Sequence, residues 1–99
     1  MKTFEVKVTP QAEDDLSDIW CGIALDSVAN ADAFLDALHL KISDLSLFPF
    51  AYEAVPVLGK GIRRRVLHAN FVAYYEVHHD EVHILRVKPS PRSDAEFFG

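Results

Sequence analysis

The chain has 99 residues, of which 49% are hydrophobic and 25% are charged, and its formal net charge is −5. This length supports one domain with a single modest core, and the composition argues against intrinsic disorder. The acidic balance argues against general binding to nucleic acid, and no apolar run approaches the roughly 18 residues of a membrane span. Because the N-terminus lacks a secretory apolar core and Cys21 has no partner for an internal disulfide, we expect a cytoplasmic protein.

The first half of the chain predicts one strand and two helices. Residues 3–8 alternate apolar and polar side chains, as a half-buried strand does. Thr9 and Pro10 then indicate a helix start, since threonine caps helices and proline suits the first helical position. Asp26 and Ser27 mark a break and a second cap. Both helices repeat apolar residues at helical spacing, and their short connection predicts an antiparallel hairpin.

The second half predicts an ordered loop over 48–60 and strands near 61–68, 71–78 and 81–88. The dipeptides Ala69-Asn70 and His79-Asp80 are interpreted as two-residue turns, because Asn and Asp tolerate the backbone that such turns need. With these turns, one sheet face is apolar and is expected to lie under the helices. It carries Ile62, Val66, Phe71, Ala73, Tyr75, Val77, Val82 and Ile84, with Arg64, Arg86 and Lys88 emerging at its edges. The opposite, exposed face carries Arg63, Arg65, Leu67, Val72, Tyr74, Glu76, His78, Glu81, His83 and Leu85.

Together these elements predict an α+β fold for a single domain over residues 1–99. An N-terminal strand and an antiparallel α-hairpin precede a three-stranded antiparallel meander, and the helices cover one face of the small sheet. Residues 89–99 are expected to form an irregular tail, because Pro89 and Pro91 interrupt strand pairing.

Three consecutive arginines, Arg63 to Arg65, are the main functional signal, because a packed strand cannot bury three unpaired guanidinium groups. They could contact nucleic acid or an acidic partner. They could equally form a solvated strand with cross-strand ion pairs, in which Glu76 would lie opposite Arg63. Tyr74, on the same predicted face, could stack on a base or contact a partner.

Other polar residues carry weaker signals. His83 is the best candidate for a general base among the strand histidines, although surface histidines are common. No cysteine or acidic cluster completes a metal site around the histidines, so we expect neither a metal nor a cofactor. The acids Asp14, Asp15 and Asp18 are interpreted as the solvated face of the first helix, and Trp20 as part of its packing stripe.

Several segments together resemble the RelE/ParE superfamily, the toxins of type II toxin–antitoxin (plasmid stabilisation) modules. They are the helical pattern Ala12, Asp15, Leu16 and Ile19, then Gly-Ile-Arg at 61–63, Phe-Val-Ala-Tyr-Tyr-Glu-Val at 71–77 and Glu-Val-His-Ile-Leu-Arg-Val at 81–87. The resemblance runs from about Phe4 to Asp94. It implies a small antiparallel sheet with an α-hairpin on one face, and an antitoxin that wraps around the toxin.

The superfamily contains two activities, and the resemblance is closer to ParE, whose members act on DNA gyrase. Val72 stands where RelE-like mRNA endonucleases carry an arginine, and Phe98 stands where they carry a tyrosine. The first hypothesis is therefore a gyrase inhibitor without chemistry of its own, with Arg65, Tyr74, Arg86 and Arg92 binding the target. The alternative is a ribosome-dependent mRNA endonuclease that uses Arg63, Arg65, His83 and Arg92.

The resemblance also implies a hetero-oligomer with a cognate antitoxin. The apolar residues of the helix hairpin, namely Leu16, Trp20, Phe34 and Leu38, are expected to bind it. A second alternative is a non-toxic family member that serves only as an antitoxin-binding module. The net charge of −5 keeps that alternative open, and so does segment 88–94, which differs from the His-Gly-Arg-Arg-like segment that often ends the last strand of ParE-like chains.

Overall fold

The computed structural model describes residues 2–90. The strands are β1 (Glu5–Val8), β2 (Ile62–Val66), β3 (Phe71–His78) and β4 (Glu81–Pro89), and the helices are α1 (Pro10–Ala24) and α2 (Val28–Ser43). Short 3-10 turns follow α2 at Asp44–Ser46 and occur at Pro56–Leu58 and His68–Asn70. The α+β class is confirmed, with both helices and all four strands close to their expected positions.

Local sequence signals set the helix starts as expected. The Thr9 hydroxyl accepts a hydrogen bond from the Ala12 amide (3.3 Å), and Pro10 is the first residue of α1. The Ser27 hydroxyl accepts one from the Asn30 amide (3.1 Å) at the start of α2. Each cap satisfies an amide that has no partner inside its own helix. No helix within 2–90 has both the length and the apolar character needed to cross a membrane.

The four strands form one mixed sheet in the order β1-β4-β3-β2. The meander of β2, β3 and β4 is antiparallel, as the resemblance implies, while β1 pairs with β4 in parallel. The β3–β4 turn is the expected two-residue turn, since His78 pairs with Glu81 and His79 has a positive φ of 55°. The threonine that caps α1 also donates to the Ile84 carbonyl (2.8 Å), which ties the start of the helix to the sheet.

The predicted register between β2 and β3 is wrong by one residue. Val66 pairs with Val72, so the connection spans 67–71 and is longer than the expected dipeptide. Leu67, with 3% of its surface exposed, enters the core, whereas Val66 is 48% exposed. Because side chains alternate between faces, this shift moves every β2 side chain to the other face.

A second irregularity lies in β4, where the register shifts between Tyr74 and Tyr75. Tyr75 pairs with Ile84 and Tyr74 with Arg86, which leaves Leu85 as the extra residue of a bulge. Beyond the bulge, Val87 joins the buried core. Arg86 and Lys88 therefore lie on the opposite face, and the prediction that they share the helix-covered face is wrong.

The main core lies between the helix hairpin and one face of the sheet. Its buried members are Ala12, Leu16, Leu38, Ile42, Leu45, Leu67, Ala73, Tyr75, Val82, Ile84 and Val87. The loop after α2 closes one end of this core, because the buried Tyr75 hydroxyl donates a hydrogen bond to the Pro49 carbonyl.

Replacing Tyr75 with phenylalanine is expected to lower the free energy of unfolding by about 1–2 kcal/mol, since the Pro49 carbonyl would lose its donor. Burial raises the pKa of the Tyr75 phenol from 10.0 to about 12. The folded-state pKa is above the unfolded value, so this contribution is complete below pH 10 and is lost as the pH rises towards 12. Urea unfolding of the parent and Y75F should show that the free energy of unfolding falls less between pH 8 and pH 11 in Y75F. An equal fall in both proteins would contradict the prediction.

Candidate functional site

The three arginines of β2 divide between the two faces of the sheet. Arg63 pairs with Tyr75 and Arg65 with Ala73, so both lie on the side of the helix-covered core. Arg64 pairs with Tyr74 and lies on the opposite face. The expectation that Arg63 and Arg65 share the exposed face is therefore wrong, and so is the Glu76–Arg63 pairing, because Glu76 lies opposite Ile62. The physical reason is the burial of Leu67, which sets the register.

Arg65 is held against the end of α2. Its Nε donates to the Lys41 carbonyl (3.1 Å), and its guanidinium meets the Asp44 carboxylate (3.2 Å). The guanidinium carbon lies 4.5 Å from the centre of the Tyr52 ring, and only 12% of the side chain is exposed. A cation at the carboxyl end of a helix is favourable, because the last carbonyls lack partners there. Arg65 thus connects the edge strand to α2.

Arg63 lies next to the loop that follows α2. Its NH1 donates to the Tyr52 carbonyl (2.7 Å), and its guanidinium carbon is 5.3 Å from the centre of the Phe50 ring. The loop itself follows β2, since Arg64 donates its amide to the Glu53 carbonyl and Val55 donates to the Ile62 carbonyl. These contacts cover part of the outer edge of the sheet.

A row of side chains crosses three strands on the face away from the helices. The strand pairings bring Arg64, Tyr74 and Arg86 side by side. Tyr74 is fully buried, whereas the Arg64 and Arg86 side chains are 19% and 26% exposed. The row therefore places one guanidinium group on each side of Tyr74, which has no exposed surface with which to contact a base or a partner.

Asp15 joins α1 to the end of β4 where β1 no longer covers the strand. Its carboxylate accepts two hydrogen bonds from Arg86 (2.8 and 3.0 Å) and one from the Val87 amide (2.9 Å). Lys88 adds an ion pair at 3.0 Å. Asp15 is only 5% exposed, so its interpretation as part of a solvated face is wrong. The available signal was its spacing, because Asp15 shares the apolar stripe of Ala12, Leu16 and Ile19.

Burial raises the pKa of Asp15, but the hydrogen bonds from Arg86, the Val87 amide and Lys88 outweigh it. The net pKa is lowered from 3.8, so the carboxylate is charged at neutral pH. This charge offsets one of the two positive charges of Arg86 and Lys88, both partly exposed, and holds both side chains at the end of the sheet.

His83 belongs to a separate polar cluster near the β3–β4 turn. Its Nε2 is 2.9 Å from Glu81, and the neighbouring His78 Nε2 is 2.7 Å from Glu76. The two imidazole rings lie 4.9 Å apart, which agrees with their expected common face. No group of three or more His, Cys, Asp or Glu residues within the described part of the chain is arranged to hold a metal ion.

The residues of the predicted endonuclease site do not converge. His83 lies opposite Glu76 on the face away from the helices, whereas Arg63 and Arg65 lie on the helix side. The sheet separates the candidate base from the guanidinium groups that would stabilise a phosphate. Arg92 and Phe98 lie outside the described residues.

Comparison with known proteins agrees with this architecture. A family model described as the ParE toxin of the type II toxin–antitoxin system, parDE, matches residues 6–93. The chain belongs to the ParE toxin family. Its fold is similar to a solved chain titled "Chromosomal ParDE TA system from P. aeruginosa", with a TM-score of 0.77 and 22% sequence identity. That match covers 90% of this chain and 98% of the other chain. No match was found among curated proteins.

The residues predicted to bind an antitoxin differ in accessibility in this ParE-family fold. Leu16 and Leu38 are 3% and 0% exposed and belong to the core. Trp20 is half-buried, and its indole N–H donates to Asp32 of α2 (2.8 Å), which joins the two helices. Phe34 is also half-buried, and its ring contacts Phe71 with centres 5.7 Å apart. Only Trp20 and Phe34 keep surface that a partner can touch.

A cavity of about 280 Å³ lies between α1 and the end of the sheet. Its lining is mostly apolar and includes Asp15, Asp18, Ile19, Phe71, Val87, Lys88 and Pro89. Small-molecule sites usually enclose roughly 300–1,000 Å³. This cavity is slightly smaller than that range.

Proposed function

We propose that this ParE-family toxin inhibits DNA gyrase in the cytoplasm and is neutralised by a cognate antitoxin. The observation that carries the proposal is the separation of Arg63 and Arg65 from His83 by the sheet. RNA cleavage needs a base, an acid and charge stabilisation around one phosphate. The separation of these residues therefore supports the inhibitor hypothesis more than the nuclease hypothesis.

The proposed target contact is the end of the sheet where Arg86 and Lys88 lie. Arg86 is the most accessible of the described target-binding candidates, at 26% exposure, and Arg65 is 12% exposed. Tyr74 would act as a buried spacer that keeps Arg64 and Arg86 in one row. Arg92, three residues after Pro89 in the sequence and outside the described residues, remains part of the proposal as a further cation.

The proposed antitoxin contact is the helix hairpin around Trp20 and Phe34. An antitoxin segment that folds on binding would bury their exposed surface. The acidic side chains of the same helices would favour basic residues in that segment. The resulting assembly would be a hetero-oligomer.

Purified toxin tested with DNA gyrase and relaxed plasmid provides the direct test. We expect loss of supercoiling activity, with Arg86→Gln weaker than the parent protein and Lys60→Gln, the same loss of charge at an exposed loop residue, unchanged. Cells that express the toxin without antitoxin should lose viability and induce a DNA-damage (SOS) reporter.

Two outcomes would contradict the proposal. Specific mRNA cuts with purified ribosomes that disappear in Arg65→Ala would identify an endonuclease. Normal growth and uninhibited gyrase with folded protein would favour an antitoxin-binding module without toxicity.

A further inference from the structure

An exposed group of aromatic side chains follows α2. Phe48 is 54% exposed and Phe50 is 59% exposed. Phe50 contacts Phe4 edge to face, with ring centres 5.9 Å apart. Phe4 is half-buried and packs against the core. Exposed apolar patches commonly mark an interaction surface.

The fold holds these rings outward. Pro49 lies between Phe48 and Phe50 and is fully buried, and its carbonyl accepts the hydrogen bond from Tyr75. The Phe4 amide donates to the Ser46 carbonyl (2.7 Å), which fixes the other side of the group. Because the backbone is anchored on both sides, the rings stay exposed in the folded protein. The fixed backbone also reduces the conformational entropy lost when a partner binds.

Arg63 adds a positive charge at the edge of these rings. Three of the four arginines within 2–90 have carboxylate partners, in the pairs Arg64–Glu53 (3.5 Å), Arg65–Asp44 (3.2 Å) and Arg86–Asp15 (2.8 Å). Arg63 has no carboxylate partner among these residues. It donates to the Tyr52 carbonyl through NH1 and lies against Phe50, and its guanidinium carries five N–H donors in all.

This combination selects the chemistry of the ligand. A guanidinium fork binds a carboxylate through two parallel hydrogen bonds, and the rings beside it bind apolar groups. A phosphate could also satisfy the fork, but the net charge of −5 opposes the approach of a polyanionic nucleic acid. A polypeptide with one acidic side chain among apolar ones matches both features without that penalty.

We propose that Phe4, Phe48, Phe50 and Arg63 form an aromatic–arginine patch that binds an antitoxin segment carrying an acidic residue between apolar residues. This inference rests on the antitoxin partnership proposed above. The patch is distinct from the Trp20–Phe34 surface, because its residues lie before β1, on the loop after α2 and on the edge strand β2. An antitoxin that reached both surfaces would contact both the helix hairpin and the edge of the sheet.

The test measures binding of the full-length toxin to the protein encoded by the reading frame adjacent to its gene. Arg63→Gln and Phe50→Ser are each expected to raise the Kd about tenfold or more, as central interface residues do. Arg63→Lys should fall between the parent and Arg63→Gln, because it keeps the charge and loses the fork. The controls are Lys60→Gln, with the same charge change, and Leu25→Ser, which removes an 88% exposed side chain between the helices. Thermal unfolding checks that every variant is folded.

The outcomes separate this inference from the function on which it rests. If the adjacent protein neither binds the toxin nor restores growth, the antitoxin partnership fails and the patch loses its proposed partner. If it binds folded Arg63→Gln and Phe50→Ser as tightly as the parent, the patch alone is wrong. Binding of a single-stranded DNA oligonucleotide that is lost in Arg63→Gln would also overturn the inference, by identifying nucleic acid as the ligand.

Discussion

Replacing Asp15 with asparagine is expected to lower the free energy of unfolding by about 3 kcal/mol. Breaking a buried ion pair typically costs about 3–5 kcal/mol, and the lower end applies because Arg86 and Lys88 are partly exposed and can be rehydrated. Urea unfolding at pH 7 measures this change. Asp14→Asn, the same substitution at an exposed position of α1, is the matched control and should change stability by less than about 0.5 kcal/mol.

The pH dependence gives a second measurement of the same contact. The folded-state pKa of Asp15 is below its unfolded value, so its stabilisation is complete above the unfolded value of 3.8 and is lost as the pH falls through the folded pKa. The difference in stability between the parent and Asp15→Asn should therefore narrow from pH 7 to pH 3. A constant difference would mean that Asp15 contributes through its shape and not through its charge.

Replacing Leu38 with alanine is expected to lower the free energy of unfolding by about 2–5 kcal/mol, because the side chain is fully buried between the helices and the sheet. Leu40→Ala is the matched control, since Leu40 lies two residues further along α2 and is 70% exposed. Chemical denaturation of both variants checks the prediction.

Antitoxin binding separates a core role for Leu38 from an interface role. A folded Leu38→Ala protein should bind the antitoxin with nearly unchanged affinity, because the side chain has no exposed surface. Unchanged stability combined with weaker antitoxin binding would instead mean that Leu38 contacts the antitoxin, as the sequence predicted.

Local patterns predicted the elements of this fold because each depends on residues close in sequence. Thr9, Pro10 and Ser27 start the helices through short-range hydrogen bonds and backbone geometry. His79 and Asp80 form the β3–β4 turn for the same reason. The order of these elements also carried the resemblance that the family match confirms.

The candidate site was less predictable, because it depends on which face each strand residue takes. A two-residue turn at Ala69-Asn70 would pair Val66 with Ala73, whereas the observed connection over 67–71 pairs Val66 with Val72. This shift by one residue moves each β2 side chain to the other face of the sheet. The choice depends on whether Leu67 or Val66 fits the space under α2, and nothing local to β2 determines that space. The β4 bulge at Leu85 is also set by distant contacts, since it brings Val87 to the core and places Arg86 and Lys88 on the opposite face.

The sequence by itself determined the secondary structure, the α+β class and the toxin family, because periodicity, caps and motif order are properties of the chain. Only the tertiary structure decided the partners of its charges. Asp15 is a buried acceptor and Arg65 contacts α2, while Arg63 lies beside the exposed Phe50. The reason is that burial and ion pairing join residues distant in sequence, here 71 positions apart for Asp15 and Arg86.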